Sequence, residues 1–226
     1  MSQNKNIKNE ALSFKNSLIA VVLLLIAFFS YSKYAQIQKD NQPVAITVSA
    51  ADHTIGKADA KVSIIEFADM QCPACRAFEP IVSQVIAEYA AKPNSQVKFT
   101  YKHFPLIAIH QNTMIAAIGS EAAAKQGKFW EYKKVVFENQ DKWGNALDAK
   151  DKIKSYLAAI GIDTVKWEQD LNDATLEDHV MSDLKEALAI NLTGTPSFII
   201  NGIKVDASQL STLEKFKTYI DAELAK

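Results

Sequence analysis

The chain has two cysteines, Cys72 and Cys75, and they stand three residues apart at a junction between two patterns. Before them, Lys61-Val-Ser-Ile-Ile-Glu-Phe-Ala68 is mostly apolar and β-branched, as in a buried strand. After them, Phe78, Ile81, Val82, Val85, Ile86 and Tyr89 keep helical spacing until Lys92-Pro93-Asn94 breaks it. A strand that delivers two cysteines to the first turn of a helix leaves few folds and little chemistry to choose from. The first cysteine sits where free N–H groups and the helix dipole favour an anion. Cys72 is therefore expected to be thiolate-rich, with a pKa in the range of about 3.5–7.5 found at such sites. Pro73 suits the first helical position, where its missing N–H costs nothing. Cys72 would attack, or be attacked by, a partner's sulfur, and Cys75 would resolve the mixed disulfide.

Other uses of the pair fit less well. Zinc needs two more ligands, and His53, His103, His110 and His179 show no metal spacing. Haem attachment wants His directly after the second Cys, where Arg76 stands. A structural disulfide over so short a loop adds little stability. No metal and no cofactor are expected beyond the redox-active cysteines.

Further along, Val97-Lys-Phe-Thr-Tyr-Lys-His-Phe104 alternates like a second strand and stops at Pro105. From Gln111 to Ile190 the pattern is helical, with breaks at Gly127, around Gly144 and at Gly161, which fits four or five helices. Ser197-Phe-Ile-Ile200, Asn201-Gly202 and Ile203-Lys-Val205 read as a hairpin, because Asn-Gly favours the tight turn that strand twist requires. Ser208 is placed to cap a last helix with Leu210, Leu213, Phe216, Ile220 and Leu224 along one face. The order strand, helix, strand, helical block, hairpin, helix predicts a small mixed α/β sheet with an inserted helical lobe.

Composition excludes some classes. With 226 residues, one elaborated domain is expected, and 48% hydrophobic residues rule out a wholly disordered chain. A net charge of −1 argues against nucleic-acid binding, which needs a basic excess. Residues 1–16 form a tail with Lys5, Lys8 and Lys15, and residues 17–32 are uncharged, with an apolar run from Leu18 to Phe29. That stretch is expected to be a single transmembrane helix with its amino side in the cytoplasm, or else a cleaved signal. Residues 33–51 read as a tether, and 52–226 as a domain held outside the cytoplasm, at an inner membrane facing the periplasm or free there after cleavage.

The chain resembles the DsbA-like thiol:disulfide oxidoreductases of the thioredoxin superfamily. The resemblance rests on Asp52-His53 with Gly56, Ile65-Glu-Phe67 before Cys72-Pro-Ala-Cys75, Lys102-His-Phe-Pro-Leu106, Phe129-Trp130 and Gly194-Thr-Pro-Ser-Phe-Ile-Ile-Asn-Gly202. It implies a thioredoxin-like sheet with an inserted helical domain at about 111–190. Cys72 then matches the nucleophile, Cys75 the resolving thiol, and Pro196 a cis-proline facing them, with Thr195 pairing its backbone to a bound substrate strand. A trans proline opening a strand is the simpler alternative for Pro196. Glu66 matches a buried acid that shuttles the proton of Cys75, against the alternative of a solvent-facing strand acid. Lys102 is expected to pair with Glu66 from the neighbouring strand and, with Pro73 and Ala74, to tune the couple. Pro80 matches the kink proline of the active-site helix, while His103, His110, Trp130 and Trp143 read as packing residues.

Strongly oxidising members carry His where this chain has Ala74, which leaves the direction of electron flow open. The resemblance implies an oxidase of exported proteins, reoxidised by a quinone-linked, DsbB-like membrane partner. The alternatives are a reductase fed by a membrane electron donor, less readily an isomerase, and a client-binding chaperone without redox turnover.

Overall fold

The computed structural model describes residues 19, 21–35 and 42–226. They fall into two units, Met1–Gln42 and Pro43–Lys226. In the first, residues 21–35 are helical, and the large apolar side chains between Val21 and Phe29 are exposed. Among the described residues no helix is long and apolar enough to cross a membrane. Residues 1–16 and positions 17, 18 and 20 of the expected 17–32 anchor lie outside the described residues, as does 36–41 of the tether.

The second unit is organised by β2 (Val62–Ala68), the middle strand of a five-stranded sheet of order β1-β3-β2-β4-β5. Its β-branched residues are buried on both faces, as a central strand requires. It pairs in parallel with β3 (Val97–His103) and antiparallel with β4 (Ser197–Ile200), which forms a hairpin with β5 (Ile203–Val205). The expected mixed sheet is present. The hairpin turn carries positive φ at Asn201 (49°) and Gly202 (81°), the conformation that Asn-Gly supplies with least strain. Strand β1 (His53–Ile55), antiparallel to β3, was not legible because three residues are too few for an alternation.

Helix α1 (Pro73–Val85), which contains Pro80, connects β2 to β3 through a π-helical turn at Ile86–Ala90. The block expected at 111–190 holds six helices rather than four or five. They are α2 (Thr113–Ala124), α3 (Phe129–Glu138), α4 (Gln140–Trp143), α5 (Ala149–Leu157), α6 (Thr164–Asp170) and α7 (Ala174–Ala189). The extra one, α4, is a single turn entered directly from the cap of α3 at Asn139. The last helix, α8 (Leu213–Leu224), is capped by Thr212, whose hydroxyl accepts from Lys215 N–H. Ser208 does not cap it; it lies in a short 3₁₀ turn capped by Asp206.

Alternation along β2 and β3 assigns the two faces of the sheet. Val62, Ile64, Val97, Phe99, Phe198 and Ile200 pack with Val82, Val85, Phe216 and Ile220 of α1 and α8. Ile65, Phe67 and Ile199 face the other way, against Ala187 of α7 and Leu192. Residues 43–51, expected as tether, belong to this unit. Val44 and Ile46 pack on that second cluster, and Val44 N–H donates to Gly202 O at 2.8 Å. Their alternating apolar side chains carry enough surface to dock the strap. A third cluster joins Met70, Cys72, Cys75 and Tyr101 to Phe129, Tyr132, Phe137, Trp143 and Trp167. The cysteines thus lie at the seam between sheet and helical lobe.

Candidate active site

The chain leaves β2 at Ala68 and must turn within four residues to start α1. Asp69 makes that turn by accepting from Gln71 N–H at 2.7 Å, Leu106 N–H at 2.9 Å and Thr113 O–H at 2.6 Å. His110 Nδ1 stands 2.7 Å from the same carboxylate. Gln71 Nε2 donates to Gly144 O at 2.6 Å, and Gln140 Nε2 donates to Met70 O and Cys72 O at 2.9 and 3.0 Å. The helical lobe therefore grips the loop before Cys72 from two elements. None of Asp69, Gln71 and Gln140 was singled out from sequence. An Asp before a helix was the available signal, but its partners lie far away in the chain.

Cys72 is the N-cap of α1, in extended conformation (φ −70°, ψ 123°), with Pro73 beside it in the first turn. Both cysteines are free thiols. Cys72 as a residue is 6% exposed, and Cys75, one turn deeper, 1%. A hydrogen bond from Cys75 lowers the pKa of Cys72 to about 5; burial opposes this, while Thr195 and the N–H groups of Cys75 and Ala74 assist. Burial pushes Cys75 well up, and its bond to Cys72, the Cys72 thiolate and Glu66 push it further. One sulfur is primed as an anion and its neighbour held as a thiol. Pro73 and Ala74 are exposed, and Ala74 contributes through its backbone alone.

The Thr195-Pro196 peptide is cis, and Cys72 Sγ lies 3.5 Å from Thr195 O. The expected apposition of this loop and the cysteines is therefore observed. Thr195 Oγ1 is buried and engages no protein group other than Cys72. Glu66 is 2% exposed and faces the α1 side, so it is not a solvent-facing strand acid. Burial raises its pKa to about 7, with Lys133 pulling it down and Glu79 pushing it up.

Lys102 does not pair with Glu66. On the parallel β2–β3 pair Phe67 is the register partner of Lys102, and Glu66 that of Tyr101, so the two side chains leave opposite faces. Lys102 Nζ instead meets Asp52, Asp183 and Glu186 at 2.9, 2.8 and 3.0 Å. The cation near Glu66 is Lys133 of α3, buried, at 4.0 Å.

A second polar cluster lies beside Lys102. Glu121 takes His53 Nε2 at 2.7 Å, His103 Nε2 at 2.8 Å and His179 Nδ1 at 3.1 Å. Burial works against charge on Glu121, yet these imidazoles hold its carboxyl far below the usual range. Asp52, with the other carboxylate oxygen, raises His179 to about 10. Among the described residues, two groups bring metal-ligand atoms within 4.8 Å of one another: His53, His103 and Glu121, and Asp52, His179 and Asp183. Sequence spacing concealed both, because their members come from β1 and the residue before it, β3, α2 and α7. His103 is thus a packed residue with a hydrogen-bonding task, and His110 supports the active-site loop. Trp143 is fully buried, and Trp130 half-buried.

Known proteins show where this geometry recurs. The thioredoxin family model Thioredoxin_4 matches residues 48–222. Among curated proteins, "Na(+)/H(+) antiporter NhaA 3" of Salinispora tropica is 31% identical over 151 residues, 67% of this chain and 22% of the antiporter. The chain thus spans less than a quarter of that relative's length. "Probable disulfide bond formation protein D" of Bacillus cereus is 28% identical over 210 residues, covering 91% of this chain and 93% of that protein. Oxidised BdbD from Bacillus subtilis superposes with a TM-score of 0.67 at 22% identity, over 82% of this chain and 100% of that one. Wolbachia pipientis alpha-DsbA1 gives 0.65 at 22% identity, over 78% and 92%. With its paired cysteines on a helix start, an apposed cis-proline loop and a lobe inserted after β3, the chain belongs to the thioredoxin family and has the fold of its DsbA-like thiol:disulfide oxidoreductases.

Proposed function

We propose that the chain is an extracytoplasmic oxidase that introduces disulfides into exported proteins, carried to the membrane by residues 17–32. The observation that supports this most is the stabilised thiolate of Cys72. Whatever lowers its pKa to about 5 stabilises the reduced pair and makes the disulfide a better oxidant. The uncharged apolar run Leu18–Phe29 behind three lysines supports the anchor, and the similarity to the Bacillus cereus disulfide bond formation protein supports the substrate class.

In the oxidising direction a client thiolate attacks Cys72 Sγ of the Cys72–Cys75 disulfide. The client–Cys72 bond forms and the Cys72–Cys75 bond breaks. Cys75 leaves with the electron pair and takes a proton from the carboxyl of Glu66. A second client thiolate then attacks the client sulfur, closing the client disulfide and releasing Cys72 as the thiolate. The client loses two electrons, which pass on to a quinone-linked membrane partner. In the reverse direction Cys75 resolves the mixed disulfide and Glu66 accepts its proton. The backbone of Thr195, on the loop beside Cys72, aligns the client segment.

A reductase is the second reading, favoured by Ala74, which offers Cys72 no side-chain donor. The test is the reduction potential of the full-length protein against glutathione, paired with oxidation of a reduced, unfolded client. A potential well above thioredoxin's roughly −270 mV, with oxidation lost in Cys72→Ser, is the expected result. A potential near that of thioredoxin assigns the reductase, and client oxidation that survives Cys72→Ser rejects both.

A further inference from the structure

Lys133 is a buried lysine that the chemistry above leaves without a task. It arises from α3, in the inserted lobe, and its side chain is 1% exposed. Its ammonium lies 5.6, 5.9 and 5.5 Å from the ring centroids of Tyr101, Trp130 and Phe137, a box that fixes its place. It forms a close ion pair with Glu79 of α1, and stands 4.0 Å from Glu66 Oε2. That oxygen is buried and has no hydrogen-bond partner. The position is intermediate. A cation in contact would hold Glu66 ionised, and no cation would leave it protonated, since burial and the Glu79 carboxylate both disfavour its charge.

We propose that Lys133 is a positioning residue of the redox centre, by which the helical lobe keeps Glu66 able both to release and to accept the proton of Cys75. The groups facing Glu66 are Lys133 from α3, Glu79 and Cys75 from α1, and Tyr101 from β3. Glu79 holds the lysine in direct contact, and Glu66 lies at the longer distance of 4.0 Å. The proposal rests on the reading of Glu66 as proton partner of Cys75.

The test isolates one step. Cys72 of the full-length protein is loaded as a mixed disulfide with thionitrobenzoate. The Cys75 thiol gives its proton to Glu66, the Cys72–Cys75 bond forms, the bond to the reagent breaks, and thionitrobenzoate leaves as a coloured thiolate. Its release rate is followed against pH. Lys133→Met should move the midpoint up by about one pH unit, and Lys133→Arg should restore it. Glu79→Gln frees the ammonium toward Glu66 and should move the midpoint down. These opposite shifts are not the result of a merely structural role, and Glu79→Gln decides the matter if Lys133→Met does not fold. Unmoved midpoints in both, or shifts of the same sign, overturn the proposal. A Glu66→Gln protein with the wild-type profile also overturns it, and there the fault lies with Glu66. No release from wild type at any pH places the fault in the Cys72–Cys75 reading.

Discussion

Cys72 and Thr195 are 123 residues apart in sequence, and the thiol of the first reaches the carbonyl oxygen of the second at 3.5 Å. The same threonine carries a buried hydroxyl that no other protein group engages, and its side-chain hydrogen bond to Cys72 helps to lower the pKa of that thiol. A hydroxyl that donates to a thiolate stabilises the reduced pair, because a disulfide sulfur accepts only weakly. Thr195→Val keeps the shape and removes the donor. The expected outcome is a Cys72 pKa higher by roughly one unit, and a less oxidising couple. Glutathione equilibration checks the second, and an unchanged potential rejects a role for the hydroxyl.

The two cysteines should differ sharply as nucleophiles. Alkylation of the reduced protein by iodoacetamide should modify Cys72 with a midpoint near pH 5, and leave Cys75 untouched until the chain unfolds. The depressed pKa also has a stability consequence. Its contribution to the reduced form is complete above the unfolded thiol pKa of about 8.5 and fades as pH falls through 5. Reduced and oxidised proteins melted between pH 4 and 9 should therefore show the reduced form gaining on the oxidised one with pH. Parallel melting curves would reject the stabilised thiolate.

What was legible in the sequence was what neighbours along the chain encode. The run Ile64–Ala68 into Cys72-Pro-Ala-Cys75, the Asn201-Gly202 turn and the apolar rhythm of the helical block each follow from local patterning. Glu66 was marked by the resemblance, from its place six residues before Cys72, and its neighbours along the strand did not fix the direction of its side chain. Lys133 was missed because it reaches Glu66 from a different lobe, and nothing in Phe129-Trp-Glu-Tyr-Lys133 marks that lysine as buried. Lys102 was misplaced for the converse reason. Proximity to the motif suggested a partner, but register decides which face a strand residue occupies, and register is a property of pairs. The helical pattern of the lobe likewise did not disclose that Gln140 holds the backbone of Cys72.

Glu66 should cost the fold stability near neutral pH. Its pKa rises from 4.5 to about 7 on burial, so the stability it leaves intact below pH 4.5 is lost as pH climbs through 7. Glu66→Gln removes the charge and keeps most of the shape. The variant should match the wild type near pH 4 and exceed it above pH 7 by on the order of 3 kcal/mol, read from urea denaturation. Its thiol chemistry should slow, since Cys75 loses its proton partner. A variant no more stable at pH 8 than at pH 4, relative to wild type, would falsify the buried-acid assignment.

Lys102 serves the fold rather than the couple. Its ammonium is enclosed by Asp52, Asp183 and Glu186 on the α7 face of the sheet, and the face that holds Glu66 and Cys75 is the other one. Burial works against the charge of Lys102, but Asp183 and its fellow carboxylates raise its pKa, so it is charged throughout the physiological range. Lys102→Met leaves Asp52 and Asp183 buried with the partial compensation of His179 and of the N–H groups of Ser49 and His103. Breaking a buried pair from one side costs about 3–5 kcal/mol, and a loss of that size is expected in urea denaturation at pH 7. The loss should shrink at low pH as the stranded carboxylates take up protons. The potential and the alkylation midpoint of Cys72 should stay at their wild-type values under conditions where the variant is folded. A shifted potential with unchanged stability would return Lys102 to the redox centre, where proximity in sequence had placed it.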